Sequence, residues 1–231
     1  MVENETFHHF FILACILLTG CNPVTPDATP ETISVEYTAA SIPWLATIYK
    51  CAGGNVVNAE LLAADFQDPQ SFDLSIRIGQ PDTLTSPAYQ IGSEEIIIIV
   101  NPQNTVKQLT VEQVRGLFTG QILNWQAVGV SNGNVQVWVY SSGEDVQQIF
   151  EKAALGGNRV TGNARLATSP DEMTRAIAAD VNAVGILTSH WKNSNVIDAF
   201  NAATAPVLVI SKSEPLAAAK SMIACLQNKS P

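Results

Sequence analysis

Apolar and polar positions along this chain fall into two rhythms. Residues 32–37, T-I-S-V-E-Y, read as a strand, and so do 56–61 and 72–79. Residues 94–100, E-E-I-I-I-I-V, are too continuously apolar for a sheet that is wet on one side. They predict a strand buried on both faces, under helices. Glu94 and Glu95 open that strand and, being adjacent, should point to opposite faces, which rules them out as a catalytic pair. Further strands are predicted at 134–140, 183–189 and 207–210.

Helical spacing fills the intervals. Ser41 caps and Pro43 opens a helix running to Cys51, which Gly53 and Gly54 end. Thr110 and Gln113 form a capping box at the head of a second helix. A third follows the turn Ser141-Ser142-Gly143, a fourth starts at Ser169-Pro170 and ends near Asp180, and a last one covers 214–228. Strands alternating with helices over 231 residues predict an α/β protein, in one large domain or two compact lobes.

The N-terminus departs from that pattern. Residues 10–18, F-F-I-L-A-C-I-L-L, are apolar but too short to span a bilayer as a mature helix. The following L-T-G-C, ending at Cys21, resembles the lipobox of bacterial lipoproteins. That resemblance implies a signal peptide over 1–20, a diacylglyceryl group on Cys21, and a membrane anchor outside the cytoplasm. No Lys or Arg precedes the apolar run, so a short buried element ending in cysteine stays open as the alternative. Residues 21–32 are rich in Pro and Thr and read as an extended tether.

Charge and cysteines narrow the chemistry. The net charge of -9, with no basic cluster interleaved with aromatics, argues against nucleic-acid binding. After export Cys51 and Cys225 remain as one possible disulfide, or as two buried free thiols. His190 is the sole histidine beyond the apolar N-terminal segment and has no Cys or His at ligand spacing, so neither a metal nor a cofactor is expected. The parts of nucleophilic or metal hydrolysis are missing too, so no enzyme is expected.

Three stretches resemble the phosphate-binding-protein-like branch of the periplasmic solute-binding proteins. They are L-T-V-E-Q-V-R-G-L-F-T-G-Q-I-L-N-W at 109–125, E-E-I-I-I-I-V-N-P at 94–102, and D-E-M-T-R-A-I-A-A-D-V-N-A-V-G-I-L at 171–187. The resemblance implies mixed sheets flanked by helices in two lobes, with two crossovers between them. Lobe 1 would hold 32–100 plus 206–231, and lobe 2 would hold 101–205. The first and last helices, which carry Cys51 and Cys225, would then share a lobe. The implied protein is a monomer that takes a small solute in the interlobe cleft and passes it to an ABC permease. A ligand-sensing or protein-interaction module on the same fold is the alternative.

The resemblance also implies which loops meet the ligand. Thr38 and Ser41 stand in the first loop, where Ser41 serves equally well as a helix cap. Asp73 matches an aspartate of the family, while Arg77 is assigned a structural pairing with Asp73 or Glu60. Tyr140, Ser141, Ser142 and Gly143 form the third loop, whose backbone N–H groups suit an anion. Glu144 and Asp145 follow in the first helical turn. At an effective dielectric of about 20, a carboxylate 4 Å from an anion costs roughly 4 kcal/mol, close to a thousandfold in affinity. Phosphate or another oxyanion is therefore a candidate ligand held by a weakened site. Trp44, Trp138 and Trp191 are more often core residues than stacking platforms, and Trp125 reads as packing.

Overall fold

The computed structural model describes residues 29–62 and 71–229. The predicted signal, Cys21 and most of the tether lie outside them. The expected first strand is β1 (Thr32–Tyr37). A 3-10 turn at Ala39–Trp44 then leads into α1 (Leu45–Lys50). Next come β2 (Val56–Leu61), β3 (Leu74–Ile78) and β4 (Ala88–Val100). The capping box opens α2 (Val111–Phe118) as expected, with Gln113 N–H donating to Thr110 Oγ1 and Thr110 N–H to Gln113 Oε1.

After β5 (Gln136–Val139), α3 (Asp145–Phe150) continues through a π turn at Glu151–Leu155. Then follow β6 (Arg165–Leu166), α4 (Pro170–Ala179) with Ser169 as its cap, and β7 (Ala183–Thr188). The chain returns as β8 (Ile197–Ser211) and closes with α5 (Ala217–Asn228). No helix among the described residues is long and apolar enough to cross a membrane.

The strands form one mixed sheet in the order β2-β1-β3-β8-β4-β7-β5-β6. The pairs β1–β2, β1–β3, β5–β7 and β5–β6 are parallel, and those involving β4 or β8 are antiparallel. Two strands pass through both halves of the sheet. β4 and β8 pair along nearly their whole lengths, from Ala88 opposite Ile210 to Val100 opposite Ile197. β3 joins the far end of β8 at 207–211, and β7 joins the far end of β4 at 96–100. The isoleucine run is buried as its composition requires, with Ile96, Ile98 and Ile99 fully inaccessible. Glu94 is buried and Glu95 exposed, the opposite facing expected of neighbours in a strand.

Two elements differ from the sequence reading. β8 begins ten residues before the predicted 207, because Ala199, Ala202, Ala203 and Ala205 lack the bulk that marks a strand by periodicity. The first helical turn begins at Ala39, so Pro43 lies inside it and Ser41 is not its cap. The Ser41 hydroxyl instead takes Thr38 N–H at 3.0 Å and donates to Thr38 O at 2.9 Å.

Helices cover the faces unevenly. α5 packs on β4 and against α1, and α4 packs on β4, β5 and β7. The structure joins Cys51, at the end of α1, to Cys225 in α5, a sequence separation of 174. Closing a loop of that length restricts the unfolded chain by about 5 kcal/mol in the loop-entropy model, an upper figure. The double variant Cys51→Ser/Cys225→Ser should therefore unfold at distinctly lower urea, by several kcal/mol. Unfolding both proteins without reductant checks this, and equal midpoints would show that the crosslink contributes nothing.

Candidate functional site

A cleft of about 980 Å³ opens between β1, β3 and the loop after β3 on one side and α3 on the other. Its inner wall follows from strand parity. Glu36 of β1 is in register with Ser75 of β3, and Arg77 lies two residues beyond Ser75, so all three share one face of the sheet. Glu36 is 2% exposed and Ser75 4%. Among the described residues, neither Glu36 Oε2 nor Ser75 Oγ has a hydrogen-bond partner.

Arg77 reaches across the cleft. Its Nε donates to Asp145 Oδ2 at 2.9 Å and Oδ1 at 3.1 Å, and its Nη2 to Oδ1 at 2.5 Å. Ile78 N–H adds a fourth bond to Asp145 Oδ2 at 3.2 Å. A planar guanidinium suits such fork-to-fork contact with a carboxylate. Asp145 is the first residue of α3, so the helix dipole favours its negative charge as well. Gly79 makes the approach possible. It sits at φ +80, and a Cβ there would come within 2.9 Å of Ile149 Cδ1 on α3.

Carboxylates outnumber cations on this wall. Burial alone would lower the Arg77 pKa, but the Asp145 bonds and the charges of Asp145, Glu36 and Glu144 raise it overall. Glu144 has its pKa raised, first by burial and then by the Asp145 charge, with Arg77 opposing. The exposed pair Lys152–Asp82 lies at the rim, at 3.2 Å.

The predicted ligand residues separate. Thr38 and Gly143 line the cleft. Tyr140 lines a neighbouring cavity of about 10 Å³, against Ala39, Ala40 and Ser169. Burial pushes its phenol pKa well above the usual value. Ser141 and Ser142 line neither space, and the Ser142 carbonyl accepts from Gln148 Nε2 at 3.2 Å.

Ser41 is fully buried and bonded to Thr38, so its hydroxyl is turned into the turn and not towards the cleft. Asp73 stands outside the cleft as well. It lies just before β3, where its carboxylate takes Ser34 N–H at 2.9 Å and Ser34 Oγ–H at 2.7 Å. Arg77 pairs with neither Asp73 nor Glu60, since Asp145 satisfies it from the other side of the cleft. None of the four tryptophans lines the cleft. Trp44 and Trp125 are core, and Trp125 Nε1 donates to Asn182 O at 2.8 Å.

Glu36, Ser75, Arg77, Glu144 and Asp145 thus form the wall, and none was assigned to the ligand from sequence. The signal was the alternation of polar residues at Ser75 and Arg77 in β3, with Asp73 just before it, matched by Ser34 and Glu36 in β1. Among the described residues no group of three His, Cys, Asp or Glu is placed to hold a metal ion.

Comparison with known proteins agrees with this architecture. Residues 88–229 match the family described as the PBP superfamily domain. A phosphate-bound ABC-transporter substrate-binding protein of Clostridium perfringens superposes with a TM-score of 0.75 at 16% identity, covering 85% of this chain and 93% of that one. An ABC-type phosphate transport receptor of Vibrio cholerae gives 0.66 at 19% identity, over 85% and 94% of the two chains. The reduced regulatory domain of OxyR2 from Vibrio vulnificus gives 0.63 at 8% identity, over 87% and 95%. At these identities the likeness is one of fold.

Glu144 offers a pH test. Its raised pKa means the folded protein binds more protons than the unfolded chain just above the ordinary glutamate value. Stability from this group is greatest when it is protonated and falls as pH rises through the folded pKa. Glu144→Gln should therefore stabilise the protein at pH 7, by under about 1 kcal/mol. The gain should vanish below about pH 4, where both forms of the group are neutral. Urea midpoints at the two pH values check this, and a gain that persists in acid would contradict it.

Proposed function

This chain belongs to the PBP superfamily, the periplasmic-binding-protein fold, and we propose that it is an extracytoplasmic solute-binding protein of an ABC-type importer. In this reading Cys21 carries the lipid anchor, and residues 32–100 plus 206–231 and 101–205 act as two lobes closing on a monomer's cleft. The phosphate-type anion site is weakened because the chain supplies its own anion. The observation that carries this is the Asp145 carboxylate, which takes both the guanidinium of Arg77 and the N–H of Ile78. These are the kinds of donor that hold an oxyanion in a protein site. Of the predicted ligand residues, Thr38 and Gly143 keep a place at the cleft, while Ser41, Asp73, Ser141 and Ser142 contribute no side chain to it.

A second reading, a sensing or protein-interaction module, draws on the same feature. An internal ion pair joins the two walls of the cleft without cargo between them. The similarity in fold to a regulatory domain is compatible with that use.

Titration with phosphate tests the filled site. The wild-type protein should show no saturable heat at low ionic strength with phosphate up to the millimolar range. Asp145→Ser removes the internal carboxylate and frees Arg77 and Ile78 N–H. Relieving one like-charge contact is worth roughly 4 kcal/mol at an effective dielectric of about 20, so affinity should rise by two to three orders of magnitude. Micromolar binding by the wild type would overturn this reading and restore phosphate as the ligand.

A further inference from the structure

The inner wall of the cleft leaves two buried acceptors unused. Glu36 and Ser75 are next to one another in register and line the cleft, and the buried Glu36 Oε2 and Ser75 Oγ have no partner among the described residues. A buried carboxylate oxygen without a partner costs free energy, and native proteins rarely leave one so unless a ligand or water fills the gap. The charges point the same way. Glu36, Glu144 and Asp145 gather round one guanidinium, that of Arg77, and Asp145 already holds it. The whole cleft lining holds five carboxylates against three cations, Arg77, Lys152 and Arg159, a surplus of two carboxylates. No salt bridge reaches Glu36 or Glu144 among the described residues.

We infer that this cleft takes a small organic cation carrying a primary ammonium group, seated against Glu36 and Ser75 with Glu144 as a second counter-charge. An ammonium group offers three N–H donors and accepts nothing, which fits the carboxylates of Glu36 and Glu144 and the lone pairs of the Ser75 hydroxyl. It also fits better than a metal ion, which needs several oxygens closing on one point, and no such group of three stands among the described residues. Asp145 has a part in this. By pairing with Arg77 it offsets the positive charge beside Glu36, while Lys152 and Arg159 stand exposed in the cleft lining. The inference rests on the solute-binding reading above and names the class of solute.

Isothermal titration and thermal melting of the full chain would use ethylammonium, ethanolamine and 1,4-diaminobutane as probes, with phosphate and Ca²⁺ alongside. At least one amine should bind saturably at neutral pH and raise the melting temperature. Glu36→Gln should weaken that binding tenfold or more, the usual loss when a hydrogen bond to a charged group is removed. Should Glu36→Gln fail to fold, Glu144→Gln provides the same test, with a smaller loss because its carboxylate is the outer one.

Absence of heat and of melting shift with all three amines would overturn the inference, as would equal amine binding by the wild type and both variants. Saturable Ca²⁺ binding without amine binding would overturn the ammonium assignment. If the amines fail while Asp145→Ser gains phosphate, the filled anion site stands and only the cation is wrong. Phosphate binding by the wild type would overturn both.

Discussion

The long antiparallel pairing of β4 and β8 is the constraint on which the rest of the molecule depends. Among the described residues these two strands alone run through the middle of the sheet, and the other strands lie to one side of the pair or the other. Their register shifts between Gln90 and Gly92, between Ile96 and Ile97, and between Ile98 and Ile99. Irregularities of this kind bend a ladder and increase its twist. The cleft lies beside this ribbon, and Ile210 of β8 is among its lining residues.

Besides the exposed Lys152–Asp82 pair at the rim, two sets of more buried side chains tie the halves together beyond the ribbon among the described residues. One is the pair Arg77–Asp145. The other surrounds Glu94, which is 1% exposed and sits mid-ribbon opposite Ala205. Its carboxylate takes His190 N–H at 3.0 Å, lies 2.6 Å from His190 Nδ1, and accepts from Trp44 Nε1 at 3.4 Å. Next to it Trp191 Nε1 donates to Ala40 O at 3.2 Å, joining the turn after β7 to the turn after β1. Each buried polar group in this cluster has its partner on a different element, so it specifies how those elements dock.

Much of this was legible in the chain. Residues 32–37, the capping box at Thr110 and Gln113, and the isoleucine run all behave as their local chemistry requires, because each is decided by neighbours close in sequence. The front half of β8 was not legible, since an Ala-rich strand shows no hydrophobic period and is held by its long pairing with β4 and by Leu109 N–H on Ala199 O. The site was only half visible. Loop residues were judged by the family's pattern, which drew attention to Ser141 and Ser142, whereas the wall is made by strand residues whose parity matters only once β1 and β3 are paired. Asp145 stands in the first turn of α3, where its charge suits the helix dipole. Its second role needs Arg77, 68 residues away, and no local rule reports a contact of that range.

A carboxylate that belongs to the chain never diffuses away from its guanidinium. The fold fixes its effective concentration at Arg77, at millimolar order or above for groups so closely tethered. Any free anion seeking the same donors competes against that figure whether the medium outside is rich or poor. Occupancy at Arg77 is in this sense a constant of the molecule, and scarcity outside leaves no mark on it. What remains free to report on the surroundings is the rest of the wall.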